Sequence, residues 1–297
     1  MSDKLITYLL LFIGYISSIL SIRQRYFLGV FTGNILKILS KKRQKITYDN
    51  LKMAFPGKDK KWIKKVLKKS YQNLGVVLIE TACLRYLSEK DIERYVKYEN
   101  LDLIKETYNQ GNGLILLSAH YGNWEFAAYA VGLFTKIPIK VIVKEQQNSL
   151  ADNYINKYRT KGGNQIVYMD KAAREIVKTI INKGCVAIIV DQRATKDKDV
   201  YVDFFGRPAS TYEAPATLAL KYKVPVIYGF AVRNKDCTYT VTAKLLETND
   251  IIEKVSSGEI TDNDGIKLLT ERHVKVLEDA IREHPDLWAW QHNRWKY

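Results

Sequence analysis

The sequence predicts an α/β fold, a mostly parallel sheet flanked by helices, with a membrane helix at its N-terminus. Three observations predict it. Short apolar runs alternate with helical patterns through the middle of the chain, the arrangement of a sheet covered by helices on both sides. Two of those runs, Leu114–Ala119 and Cys185–Val190, are almost continuously apolar, as strands buried on both faces are. Residues Leu5–Ile22 form an uncharged run of eighteen. The 297 residues, 46% of them hydrophobic, suffice for a core that needs neither disulfide nor metal. The organisation expected is a membrane anchor over 1–25 and one further domain over 26–297. In that domain, 26–100 is a basic helical, membrane-proximal part and 101–297 the α/β core.

Taken in order, Leu5–Ile22 as a helix extends about 27 Å, close to the ~30 Å of a hydrocarbon core. Arg23 and Arg25 follow it, while only Lys4 precedes it. That is the reverse of a signal peptide, and it directs the basic body to the cytoplasm. Tyr26–Leu39, interrupted by Gly29, Gly33 and Asn34, is too short to span and reads as an interfacial or core helix. From Trp62, residues Ile63, Val66, Leu67, Tyr71, Leu74, Val77 and Leu78 recur at helical spacing. Strands follow at Leu114–Ala119, Ile139–Val143, Gln165–Met169, Cys185–Val190 and Val224–Val232, with Thr238–Leu246 as an edge strand. Helices fall at Asn123–Phe134, from Asp170 to about Lys183 with Gly184 as its stop, at Glu213–Lys223 and at Asp264–Glu283.

Charge is concentrated in one place. The chain carries 47 Lys and Arg against 32 Asp and Glu, a net +15. Between Lys37 and Lys69, thirteen basic residues meet only Asp49 and Asp59, so this stretch holds eleven of the fifteen. After a membrane helix, such a segment suits an anionic lipid surface at about 1 kcal/mol per basic residue. No zinc-finger, helix-turn-helix or ribonucleoprotein pattern supports nucleic acid as the partner. The three cysteines, Cys83, Cys185 and Cys237, are widely spaced in apolar contexts, which suits buried free thiols in a reducing cytoplasm.

Ligands of such sheets bind beyond the carboxyl ends of the strands, which singles out the residues after Leu114–Ala119. There the chain reads His120-Tyr121-Gly122-Asn123-Trp124-Glu125. If His120 ends the strand, residues 121–123 turn and Glu125 opens a helix, the two side chains converge beside the free N–H groups of a helix start. A histidine oriented by a carboxylate activates a hydroxyl at neutral pH. A substrate hydroxyl would suffice, since G-x-S-x-G, HExxH and P-loop patterns are all missing, and Gly111-Asn112-Gly113 precedes a strand. No metal site is expected. His273 and Glu278 share the spacing but lie within one helix, where five positions set them about 140° apart.

The block Ser118–Glu125 resembles the signature of the lipid A biosynthesis acyltransferases, the late lauroyl- and myristoyl-transferases, to which mycobacterial phosphatidylinositol mannoside acyltransferases are similar. Further blocks extend the resemblance over nearly the whole chain: Asn50-Leu51 to Phe55-Pro56, Arg159 with Gly162-Gly163, Asp191-Gln192-Arg193, Phe204-Phe205-Gly206, and the ending from Trp288 through Trp290, His292, Arg294 and Trp295 to Lys296. The resemblance implies a glycerolipid-acyltransferase-like fold and transfer of a fatty acyl chain from acyl carrier protein to a hydroxyl of a phosphorylated glycolipid. It carries the catalytic pair onto His120 and Glu125, with Glu where the wider superfamily often has Asp.

Substrate-binding roles are expected for Arg159, Arg193, Asp191 and Asn123. A guanidinium suits a phosphate or a thioester carbonyl, and Asp191 could hold either arginine or cap the next segment. Phe204-Phe205-Gly206 reads as packing around a turn, or as lining for an acyl channel. Trp288, Trp290, His292 and Arg294 read as one face of an extended segment, packed in the core or set at a membrane interface. No cofactor is implied, since pantetheine arrives with the donor. The expected partners are acyl carrier protein or acyl-coenzyme A, a glycolipid and an anionic membrane, and the expected place is the cytoplasmic face of the bacterial inner membrane. The alternatives are acylation of a lysophospholipid or another glycolipid and, in a different class, a basic membrane-peripheral or nucleic-acid-binding protein.

Overall fold

A computed structural model describes residues 3–194 and 199–295. The N-terminal part is helical, with α1 (Asp3–Ile19), α2 (Ile22–Leu39), α3 (Lys41–Ala54), α4 (Lys60–Cys83) and α5 (Glu89–Tyr95). The core then runs β1 (Val96–Glu99), α6 (Leu101–Asn109), β2 (Leu114–Ser118), α7 (Trp124–Thr135), β3 (Ile139–Val143), α8 (Ser149–Lys161), β4 (Gln165–Tyr168), α9 (Ala172–Ile181) and β5 (Cys185–Ile189). It closes with β6 (Asp199–Asp203), β7 (Pro208–Tyr212), α10 (Ala214–Tyr222), β8 (Val226–Arg233), β9 (Tyr239–Leu245), α11 (Asn249–Ser256) and α12 (Asp262–Glu283).

Seven strands form one sheet in the order β1-β9-β8-β2-β5-β3-β4. The run from β8 to β4 is parallel throughout, and β1 and β9, parallel to each other, point the opposite way. β9, expected at the edge, is covered by β1. The pleat of central β2 serves two cores. Ile115 and Leu117 pack with α9, α10, α12 and the C-terminal tryptophans, while Leu114 and Leu116 face α6, α7 and α8. β6 and β7 form a separate antiparallel hairpin.

The expected membrane anchor requires correction. The uncharged run does not make one helix: α1 ends at Ile19, and Ser21 starts α2 with a capping box to Gln24. A serine that satisfies the first free N–H groups begins a new helix more cheaply than it continues an old one. Among the described residues, no helix is long and apolar enough to cross a membrane. Both α1 and α2 lie on α4, and glycines set the contact. A Cβ on Gly75 of α4 would stand 2.3 Å from Gly29 O and from Gly33 N of α2, so the backbones approach as only glycine permits. The glycines that break up the pattern of 26–39 are therefore packing positions. This cover on its second side explains why α4 buries far more than the one stripe its periodicity predicts, including Asn73 and Glu80.

Candidate functional site

The site is assembled where two adjacent parallel strands end. β2 and β5 pair from Leu114–Cys185 to Ser118–Ile189, so His120, two residues beyond β2, and Asp191, two beyond β5, meet at the carboxyl edge. Asp191 is buried and accepts three hydrogen bonds. His120 Nδ1 lies 2.8 Å from Oδ1, and Oδ2 receives the His120 amide at 3.0 Å and Trp288 Nε1 at 2.8 Å. The carboxylate on the ring is thus that of Asp191, where Glu125 was expected.

Electrostatics fix the tautomer. Burial would raise the Asp191 pKa, but His120 and the donated hydrogen bonds outweigh it and hold the group below its ordinary value. An ionised Asp191 can only accept, so Nδ1 carries the proton and Nε2 presents a lone pair. For His120, burial acts to lower the pKa. The Asp191 charge and hydrogen bond, with a further contribution from Glu125, outweigh it and raise the pKa above the usual histidine value. The side chain remains 28% exposed, open to a substrate, and its ring meets Trp124 edge-on at 5.0 Å.

The turn between His120 and α7 is tightly held. Ala289 N donates to His120 O, Gly122 N to Leu287 O at 3.0 Å and Asn123 N to Ala231 O at 3.0 Å. Gly122 has φ +61°, and a Cβ there would lie 1.8 Å from Ala231 O, so no other residue fits. Asn123, expected at the substrate, is fully buried. Its Oδ1 caps α7 through Phe126 N, and its amide donates to Glu80 at 2.8 Å.

Glu125 turns to α8. Arg159 grips both of its carboxylate oxygens, Nε at 3.0 Å, and the Tyr158 hydroxyl donates to it at 3.0 Å. Such a two-point clamp fixes a guanidinium in plane. Asp191 therefore holds neither arginine. The backbone N–H of Arg193 donates to His292 Nε2 at 3.1 Å, and its guanidinium has no hydrogen-bond partner among the described residues. Gln192 Nε2 lies 3.5 Å from His120 Nδ1.

The remaining blocks brace the site. Asn50 Nδ2 donates to the carbonyls of Trp290 and His292, which explains why a motif on α3 accompanies the C-terminal one. Trp288, Trp290 and Arg294 are buried, so this segment is core and not a membrane girdle. Lys296 lies outside the described residues. Phe204 stacks on Trp295 at 5.4 Å, and Phe205 meets Phe55 edge-on at 5.2 Å. Both phenylalanines are packing at the β6–β7 turn and are absent from the cavity described next. The three cysteines are buried and free. His273, on α12, is buried without a partner for Nε2 among the described residues, and burial with nearby Arg294 pushes its pKa down to about 3.

An apolar slot runs from the site into the fold between the sheet and α7. It reaches the strand ends at Ser118 and Trp124 and is lined deeper by Leu116, Ala187 and Val141 on the sheet and Val131 on α7. Leu116 and Ala187 keep accessible surface in mid-sheet. Its lowest strand residue, Ile139, pairs with Cys185, four rows below Ile189, which at 3.3 Å per residue makes it about 13 Å deep. No group of three metal-ligating side chains gathers among the described residues.

A family model described as bacterial lipid A biosynthesis acyltransferase matches residues 1–297. A lipid A biosynthesis acyltransferase of Haemophilus influenzae is 24% identical over 87% of this chain and 79% of its own. Two Escherichia coli proteins, a lipid A biosynthesis palmitoleoyltransferase and a lauroyltransferase, are 22% and 20% identical. Each matches over 91% of this chain and over 84% and 85% of its own length.

Proposed function

We propose that this chain, which belongs to the bacterial lipid A biosynthesis acyltransferase family, moves a fatty acyl chain from an acyl carrier protein thioester to a hydroxyl of a phosphorylated glycolipid. That it is an acyltransferase of lipid A biosynthesis follows from the family; the donor, the acceptor and the residue roles are our reading. The observation that carries the reading is the apolar slot opening beside a histidine whose Nε2 is free to accept a proton.

The acyl chain lies in the slot, with its thioester at the mouth between Trp124 and His120. The acceptor hydroxyl gives its proton to His120 Nε2 as its oxygen attacks the thioester carbonyl, and Asp191 stabilises the imidazolium that forms. Collapse of the tetrahedral intermediate breaks the carbon–sulfur bond, and the imidazolium returns the proton to the departing thiolate. The products are an ester and the free pantetheine thiol. Glu125 presents the Arg159 guanidinium, and Arg193 supplies a second cation, for the phosphate of the acceptor. Glu125 also adds negative charge near the ring. At the molecular surface, the apolar outer faces of α1 and α2 rest on an anionic membrane, in place of a spanning anchor.

The test is acyl transfer from labelled acyl carrier protein thioester to bacterial membranes. His120→Ala and Asp191→Ala should each lose at least about a hundredfold, and Glu125→Ala should lose mainly through weaker acceptor binding. Equal activity in wild type and His120→Ala would sink the assignment. Transfer from acyl-coenzyme A, or to a lysophospholipid alone, would replace the donor or acceptor proposed here.

A further inference from the structure

Beneath the turn that carries His120 lies a buried charged cluster that the chemistry above does not use. Glu80 of α4 is almost wholly inaccessible. Its Oε2 receives Asn123 Nδ2 at 2.8 Å and the Tyr239 hydroxyl, and stands 3.6 Å from Arg233 Nη2. Arg233, at the end of β8, donates to Tyr239 through Nε at 2.8 Å and to Asn73 Oδ1 through Nη1 at 3.0 Å. Asn73 in turn donates to the carbonyls of Leu287 and Gly122. Glu80 thus reaches Asn123 directly and Arg233 reaches Gly122 through Asn73, and these are the two residues that turn the chain from His120 into α7. Arg233 also lies over the Tyr26 ring of α2 at 5.6 Å.

Stability does not account for the pair. Two charges taken from water into a core cost several kcal/mol each, and well-packed apolar residues in their place are often neutral or stabilising. Glu80 sits among Val76, Val77 and Ile79, where a leucine would serve a core as well, and its Oε1 has no partner among the described residues. What a leucine could not do is grip the Asn123 amide from below while Asn123 caps α7. Acyl transfer, in turn, is sensitive to placement, since about 1 Å of displacement can cost a hundredfold in rate.

We infer that Glu80 and Arg233 act as a pair of positioning residues that hold the Gly122–Asn123 turn, and with it His120, in register with Asp191. The inference rests on the acyl-transfer reading for its kinetic consequence only. The test compares full-length wild type with Glu80→Gln, Arg233→Gln and the double variant at 25 °C. Each single variant should lose about ten- to a hundredfold in kcat with the donor KM within twofold. The double should lose no more than the worse single, because no unpaired charge is left behind.

A second readout needs no activity. The groups acting on His120 are Asp191 and Glu125, and His292 feels its charge in turn. NMR titration of the four histidines should therefore show the His120 midpoint falling in Glu80→Gln, as its bond to Asp191 loosens. Folded variants with kcat within twofold of wild type and an unmoved His120 midpoint would overturn the positioning role. An inactive wild type whose His120 midpoint still shifts in Glu80→Gln would overturn the functional reading and support the positioning one.

Discussion

The ring of His120 carries its proton on Nδ1 because the carboxylate facing it can only accept, and the sign of the pH dependence follows. In the proposed mechanism the neutral ring is the base, and Asp191 with Glu125 raises its pKa. kcat/KM should therefore rise with pH through a midpoint above the ordinary ~6.5 of histidine. Asp191→Asn removes the charge and leaves burial, which lowers the pKa, less opposed. The midpoint should move to lower pH while the plateau falls about 10²–10⁴-fold, since an amide can hold the ring in the wrong tautomer. A midpoint unchanged by the substitution would show that Asp191 does not govern the ring. The position of Asp191 was legible in the sequence as the residue after a buried strand, but its partner was not. Pairing with His120, 71 positions away, depends on β5 inserting next to β2, and no local pattern encodes strand order. The same limit hid Glu125 and Arg159, which meet only because α8 packs on α7.

Among the elements, apolar runs were the most legible. The β2, β3, β4 and β5 strands begin at the residues the pattern predicts. β2 and β5, in the middle of the sheet, are apolar almost throughout, as strands covered on both faces must be, while β4 at the edge opens on an exposed Gln165. Short β1 and the β6–β7 hairpin were missed, being four and five residues long with mixed composition. The apolar slot was invisible in the sequence, since it arises where small residues line the gap between the sheet and α7: Ala127 and Ala128 on α7, Ala187 on β5, Gly229 on β8. A chain advancing about 1.3 Å per carbon, the axial projection of a ~1.5 Å C–C bond, fits about ten carbons into about 13 Å. Ala187 lies halfway down, so Ala187→Leu should shorten the acyl chain accepted by about five carbons. Each excluded methylene forfeits about 0.8 kcal/mol, or about fourfold in binding. Transfer rates across a series of donor chain lengths measure this, and an unchanged profile would remove the chain from the slot.

For the whole molecule, two surfaces of unlike chemistry come from one end of the sequence. On α1, Tyr8, Phe12, Tyr15 and Ile19, and on α2, Phe27, Phe31, Ile35 and Ile38, are exposed at helical spacing, each set opposite the glycines that seat its helix on α4. Phe12 is 64% and Phe31 62% exposed, whereas water-facing helix surfaces are ordinarily polar. Beyond Leu39 the basic stretch continues through α3 and into α4. Together they have the make-up of a helix pair lying in the plane of a bilayer, its apolar face set about 5–10 Å deep and its lysines against anionic headgroups. The +15 of the chain is thereby given a direction. The two contributions separate by salt, because charge attraction is screened over about 10 Å at 0.1 M and apolar burial is not. Phe12→Ser with Phe31→Ser should weaken binding to anionic vesicles about equally at low and high salt. Charge reversal at Lys64, Lys65, Lys68 and Lys69 should weaken it strongly at low salt and little at high salt. Vesicle co-sedimentation over a salt series reads both. If the double serine variant binds as wild type does, the outer faces of α1 and α2 do not touch lipid, and the membrane contact passes to the basic stretch alone.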